Sequence, residues 1–319
     1  MTEVLQSLEL HPVRIPMRHR FRRVDHREAV LIEGPTGWGE FSPFADYPPE
    51  VTTRWLACAL EAACTVLPEP GRDSVKVNVT VPAVDPDLAG RIVTESGATT
   101  AKVKVGESGQ DAAQDAARLR MVREVLGPEG RIRIDVNAAW DLDTAATRIT
   151  SLEEFGLEYV EQPVATIEDM VALRGMVRTP IAADELVRMS SDPLQVVESG
   201  GADLLVLKTQ PMGGISRVVS LAERAGVPVV ISSALETSIG LYSGLLAATL
   251  IPESPYAFGL GTVSLIDGDP TPDPLLPRSG VLEVRRPVPD PDLLARWRPD
   301  RDRSAEMLRK VRAAAEVLT

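Results

Sequence analysis

The chain has 319 residues, 44% of them hydrophobic and 25% charged, an ordinary globular composition with room for one large domain or two unequal ones. Its 34 basic and 46 acidic residues leave a formal charge of −12, which argues against nucleic-acid or anionic-membrane partners and means that an acidic substrate needs local positive charge. No apolar run approaches the roughly 20 residues that span a bilayer, and the start MTEVLQSLELHPV lacks the basic-then-apolar order of a signal peptide, so a cytoplasmic protein is expected.

Residues 1–74 read as an α+β unit: strand-like runs LELHPVRI and EAVLIEG, a Gly/Pro-rich stretch GWGEFSPFADYPPE, then the helix VTTRWLACALEAACTVL. Cys58 and Cys64 lie six apart in that helix, on different faces and too far along its axis for a disulfide, so both are expected as thiols. The basic stretch MRHRFRRVDHR (17–27) has two readings: Arg18, Arg20 or Arg22 pairs with a substrate carboxylate, or the stretch is a mobile, solvated loop.

From residue 75, short β-branched runs recur at intervals near 25: VKVNVTV (75–81), TAKVKVG (100–106), RIRIDVN (131–137), LEYVEQP (157–163), PIAADE (180–185), DLLVLKT (203–209), VPVVISS (227–233) and AFGLGT (257–262). Segments with helical apolar spacing separate them, several closing in the Gly that a helix C-cap favours. Eight strands alternating with helices predict parallel β/α units closed into a barrel over 75–265. The tail, 266–319, offers a short strand VLEVRR and a charged helix SAEMLRKVRAAAEVL, expected to fold back over the first unit.

In such barrels the chemistry sits at the C-terminal ends of the strands. Reading those ends in order gives Lys102 and Lys104, Asp135 and Asn137, Glu161, Asp184 and Glu185, then Lys208. Taken alone, two lysines two apart describe a half-exposed edge strand. The acids change that reading: three carboxylates converging in a partly buried site cannot all stay ionised without a cation. Oxygen ligands alone point to Mg²⁺, with Mn²⁺ as a substitute. Histidine occurs only at 11, 19 and 26, so the last 293 residues hold neither a His-based zinc site nor a Ser–His–Asp or Cys–His nucleophile pair. Lysines flanking the metal, their pKa lowered by it, then suit proton abstraction next to a carboxylate through a metal-stabilised enediolate.

The set KVKVG, DVNAAW, VEQP, ADE and LLVLKTQPMGG, in order and at matching spacing, resembles the enolase superfamily, in the subgroup related to muconate-lactonizing enzymes with lysines on the second and sixth strands. The resemblance implies an α/β fold, a modified (β/α)7β TIM-type barrel with an α+β capping domain built from the N-terminal segment and the C-terminal tail. VISSALETSIGLYSGLLAA followed by GLGT is most similar to a dehydratase branch serving menaquinone synthesis. By that likeness Asp135, Glu161 and Asp184 bind Mg²⁺, Lys104 removes the α-proton of a cyclohexadiene carboxylate and then protonates the departing hydroxyl, and Lys208 stabilises the enediolate by cation–π contact. Lys102 tunes its neighbour or touches the carboxylate, Asn137 and Glu185 orient the ligands, and Ser232, Ser233 and the backbone near Gly259 and Gly261 meet the succinyl side, with Arg20 a further contact. The implied partner is a small dicarboxylate. N-acylamino acid racemisation, dipeptide epimerisation and muconate-like cycloisomerisation share the same metal site and lysines. Dipeptide epimerases of the subgroup carry an Asp-x-Asp at the eighth strand. Here GLGT has none, and Asp267 and Asp269 beyond it read as a turn, DGDP.

Overall fold

The computed structural model describes residues 2–21, 24–45 and 47–318; Arg22 lies outside them. Strands β1 (Glu9–Phe21), β2 (Val24–Gly34) and β3 (Gly37–Phe41) form an antiparallel sheet in that order. The described part of the basic stretch is therefore strand rather than loop. Arg18 and Arg20 project from one side of β1 and Phe21 is buried on the other, the period-2 pattern that two-sided strands impose. The helix Pro49–Cys64 buries Trp55, Leu56 and Ala63 against Val30, Ile32 and Phe41 of this sheet. The same core takes Met307, Val311 and Ala315 from the last helix, Arg301–Val317, which is how the tail returns. Cys58 and Cys64 are free thiols.

The first expected barrel strand splits into β4 (Ser74–Lys76) and β5 (Val79–Val81). Then come β6 (Thr100–Lys104), β7 (Arg131–Asp135), β8 (Leu157–Glu161), β9 (Ile181–Ala183), β10 (Leu204–Leu207) and β11 (Val229–Ile231). β5 to β11 make one curled sheet in chain order with every neighbouring pair parallel, as crossover helices between strands require. Those helices carry their own N-caps, Asp85, Asp111, Asp141 and Thr166 on the first four.

The eighth strand expected at 257–262 shrinks to two parallel bridges, Val77–Phe258 and Ser232–Gly259. Hydrogen bonds from Phe258 N to Lys76 O (2.8 Å), Asn78 N to Phe258 O (3.0 Å) and Gly259 N to Ile231 O (2.8 Å) join the two edges of the sheet there. Close approach explains the glycines: a Cβ on Gly259 would lie 2.3 Å from Ser232 Oγ, and one on Gly261 2.7 Å from Asn78 O. Beyond this seam β12 (Val281–Glu283) pairs antiparallel with β4.

Two later barrel helices are held at their starts by N-terminal residues, the second in addition to its own N-cap, Thr237. Glu61 accepts from Ile215 N (2.5 Å) and Ser216 N (3.1 Å), opening the helix Ile215–Arg224. Glu40, on β3, accepts from Thr237 Oγ1 (2.5 Å) and Gly240 N (3.0 Å), opening the helix Ser238–Leu250. Among the described residues no helix is long and apolar enough to cross a membrane.

Candidate active site

β6 lies between β5 and β7, so it is not an edge strand, and all five of its residues are buried. Lys102 and Lys104 point to the barrel interior and are 6% and 5% exposed; the edge-strand reading of these lysines does not hold. In register, Lys104 stands opposite Asp135, and Asp135 opposite Glu161, while Asp184 follows the last residue of β9. Asp135, Glu161 and Asp184 are all essentially buried.

Each carboxylate is held by an ammonium. Lys104 Nζ donates to Asp135 (2.6 Å), Lys102 Nζ to both oxygens of Glu161 (3.2 Å each), and Lys208 Nζ to Asp184 (2.5 Å). The three acids do not together bring one ligand atom each within 4.8 Å of the others; among the described residues the only group of three or more that does is Glu9, His11 and Glu33, on the outer sheet. The electrostatics carry the mark of crowding. Burial, reinforced by the charges of Asp135 and Asp184, pushes Glu161 up to about 7. Asp135 goes the other way: burial would raise its pKa, but Lys104 and Lys102 bring it down to about 2. Burial would lower Lys102, yet Glu161 and Asp135 hold its ammonium above the ordinary range. The downward shift expected of the lysines presupposes a cation, and with carboxylates as the only counter-charges Lys102 moves upward.

The donor set fits a hard divalent cation. Three carboxylates rise from the ends of three adjacent strands with no competing sulfur or imidazole, and burial together with the charges of Asp135 and Asp184 opposes ionisation of Glu161, the central one. Asn137 accepts from Lys104 and donates to Glu185 Oε1 (3.1 Å). Arg188, which the sequence reading passed over, bridges Asp184 (3.3 Å), Glu185 (2.6 Å) and the hydroxyl of Tyr47 (2.5 Å) in the loop after β3.

The lysines open on a narrow cavity walled by Phe21, Phe44, Thr80, Ser232, Leu235 and Thr262. It adjoins a second cavity of about 390 Å³ lined by Arg20, Phe21, Lys104 and Gln110, so Arg20 reaches the mouth. Arg18 does not: it lines a different cavity of about 430 Å³, together with Gly261, and sits 3.8 Å from Asp267. Lys104 Nζ is 5.4 Å from the centre of the Phe21 ring. Ser233 is already saturated by the protein, donating to Glu236 (2.5 Å) and accepting from Thr262 Oγ1 (2.6 Å) and Leu235 N (2.8 Å). Asp269 is no turn residue in solvent; it accepts from Ser238 N and Oγ (2.9 Å each) and is pushed up to about 6 by burial.

A closed parallel barrel, a small antiparallel sheet over its mouth, and lysines facing acids across it define a class, and comparison bears it out: residues 85–290 match the enolase C-terminal domain-like family and residues 13–63 the enolase N-terminal domain-like family, and the chain belongs to the enolase superfamily. Members of this superfamily generally use a divalent metal. Among curated relatives, o-succinylbenzoate synthase of Thermobifida fusca is 55% identical over 272 residues, 85% of this chain and 86% of that protein. The o-succinylbenzoate synthase of Mycolicibacterium smegmatis is 46% identical over 288 residues, 90% of this chain and 88% of its own. Among solved structures, muconate lactonizing enzyme from Pseudomonas fluorescens superposes with a TM-score of 0.79 at 20% identity, covering 92% of this chain and 98% of that one. Dipeptide epimerase from Enterococcus faecalis V583 gives 0.74 at 21%, covering 88% and 97%.

Proposed function

We propose that the chain is an o-succinylbenzoate synthase, a carbon–oxygen lyase that dehydrates a cyclohexadiene carboxylate bearing a succinyl group in menaquinone synthesis. The observation that carries this reading is the 45–55% identity to enzymes of that name over 85–91% of this chain. Asp135, Glu161 and Asp184 are the residues that would hold Mg²⁺, or Mn²⁺ in its place. When bound, the ion supplies positive charge to the substrate carboxylate as it becomes an enediolate.

Lys104, as the neutral amine, takes the proton from the carbon next to the carboxylate, and the C–H electron pair moves into the enediolate. The resulting ammonium returns that proton to the ring hydroxyl. The C–O bond breaks, water leaves, and the ring becomes aromatic. Both transfers use one side chain, so they occur on one face of the ring. Lys208, from the opposite side, stays charged and stabilises the enediolate through its π-face. Lys102 holds Glu161 and Asp135, Asn137 receives the proton-bearing face of Lys104, and Glu185 with Arg188 fixes Asp184. Ser232 and Arg20 are the polar groups placed to meet the succinyl arm; Ser233, Gly259 and Gly261 serve the shape of the wall. Segments 1–74, 75–265 and 266–319 correspond in this reading to capping unit, barrel and returning tail of a cytoplasmic enzyme.

N-Succinylamino acid racemisation is the alternative on the same lysines. The capture of Asp269 by Ser238 speaks against the dipeptide epimerase, which needs a free acid for the substrate ammonium. The deciding assay supplies Mg²⁺ and the cyclohexadiene precursor, beside N-succinyl amino acids of one chirality in D₂O, and follows both by NMR. Aromatic product with slow exchange supports the dehydratase. Fast exchange at both faces with little aromatisation would replace it with the racemase.

A further inference from the structure

Among the described residues, four of the five non-glycine residues with positive φ lie at the barrel mouth: Asn137, Ala138, Gln162 and Leu235. Gln162 is the most informative. It directly follows Glu161, is 0% exposed, and sits at φ +40°, a conformation that glycine adopts with less strain. The chain nevertheless has a long polar side chain there, and every polar atom of it has a partner. Oε1 accepts from Asp184 N (3.0 Å) and Leu186 N (3.2 Å), and Nε2 donates to Val164 O (2.7 Å). The backbone of Gln162 adds two links, donating to Ala182 O (2.8 Å) and accepting from Ala138 N (2.7 Å).

These bonds connect the ends of three strands. Asp184 follows the last residue of β9, at φ −122° and ψ −72°, and its N–H donates to the Gln162 amide oxygen. The left-handed turn is what swings the Gln162 side chain from β8 across to β9. Ala138 carries the third strand end, two residues beyond Asn137's neighbour Val136 and three beyond Asp135.

We infer that Gln162 is a positioning residue for the divalent-metal site, locking Asp184 relative to Glu161 through its amide oxygen. This rests on the metal reading given above. Groups that hold metal ligands in place typically change metal affinity by 10- to 100-fold when removed.

The test is Mn²⁺ titration, by calorimetry and by the electron paramagnetic resonance of free Mn²⁺, on the substrate-free protein. Gln162→Met keeps the bulk and loses the hydrogen bonds; Gln162→Gly loses them while suiting the positive φ. Both are expected to bind Mn²⁺ about 10- to 100-fold more weakly, and to need correspondingly more Mg²⁺ for half-maximal rate with kcat at saturating metal changed far less. Mn²⁺ affinity within twofold of the parent in either folded variant overturns the inference, as does failure of both variants to fold, which would make Gln162 a packing residue. Glu161→Gln separates the two levels. If it binds Mn²⁺ as tightly as the parent, the metal reading itself falls. If it loses Mn²⁺ while the Gln162 variants keep it, only the role of Gln162 falls.

Discussion

At the scale of single residues, Lys104 is the group on which the chemistry converges. Replacing it with Ala removes the general base, which costs roughly 10²-fold or more in rate, while leaving β6 between its two neighbours. Steady-state turnover beside far-UV circular dichroism checks both halves. Glu40 gives a pH signature remote from the metal ligands. It is 2% exposed, and burial pushes it up to about 7 against bonds from Thr237 and Ser42 that pull down and the nearby charge of Glu236 that pushes up. A carboxyl whose folded pKa exceeds its unfolded value contributes stability at low pH and loses it as pH rises through the folded value. The loss amounts to about 3 kcal/mol at most for this displacement. Glu40→Gln does not titrate, so its melting temperature should gain on the parent's between pH 5 and pH 8; a constant gap would mean that Glu40 is not strained by its charge. The lysines and acids of the mouth were legible in the sequence because they end apolar strands at even spacing. Gln162, Arg188 and Tyr47 were not, since what marks them is a partner far along the chain: 141 residues separate Tyr47 from Arg188.

At the scale of elements, the strands were readable from their period and the helices from their apolar spacing, and the departures have local causes. The AFGLGT segment reads as a strand by its spacing, but at Gly259 and Gly261 the neighbouring chains come too near for a side chain, and only two bridges form. The arginine-rich stretch reads as a loop by charge, although its alternation of Arg18 and Arg20 with buried Phe21 is a strand signal that composition masked. The helix Ser238–Leu250 is nearly all apolar and buried, and its start is crowded. A Cβ on Gly240 would meet Gln210 Nε2 and Glu40 Cδ at 2.8 Å each. Gly240→Ala should therefore destabilise by about 1–3 kcal/mol as an overpacking change, although alanine ordinarily favours a helix over glycine. Urea unfolding midpoints measure it, and a stabilised variant would show that the Glu40 contact is loose.

At the scale of the whole molecule, the sheet β1–β3 with its helix is not an appendage. The Arg301–Val317 helix completes its core, and Glu40 and Glu61 terminate two helices of the barrel. With Trp140 of the barrel core replaced by Phe, Trp38, Trp55 and Trp297 report on this part, while most of the far-UV signal comes from the barrel helices. Fluorescence and circular dichroism should therefore trace one coincident urea transition. Two separated midpoints would mean that the parts unfold independently.

The two helix starts that Glu40 and Glu61 serve also set a clock on biosynthesis. Glu40 leaves the ribosome 200 residues before Gly240, whose amide it will serve. At roughly 5–20 residues per second, that is a wait on the order of 10–40 s, during which the carboxylate must stay in water. Until the seventh barrel strand and the helix behind it arrive, the face of the early sheet that carries Glu40 lies open to water. A protein wired in this way matures late and all at once, and slowing translation ahead of residue 215 would lengthen the exposure of its N-terminal apolar face to chaperones.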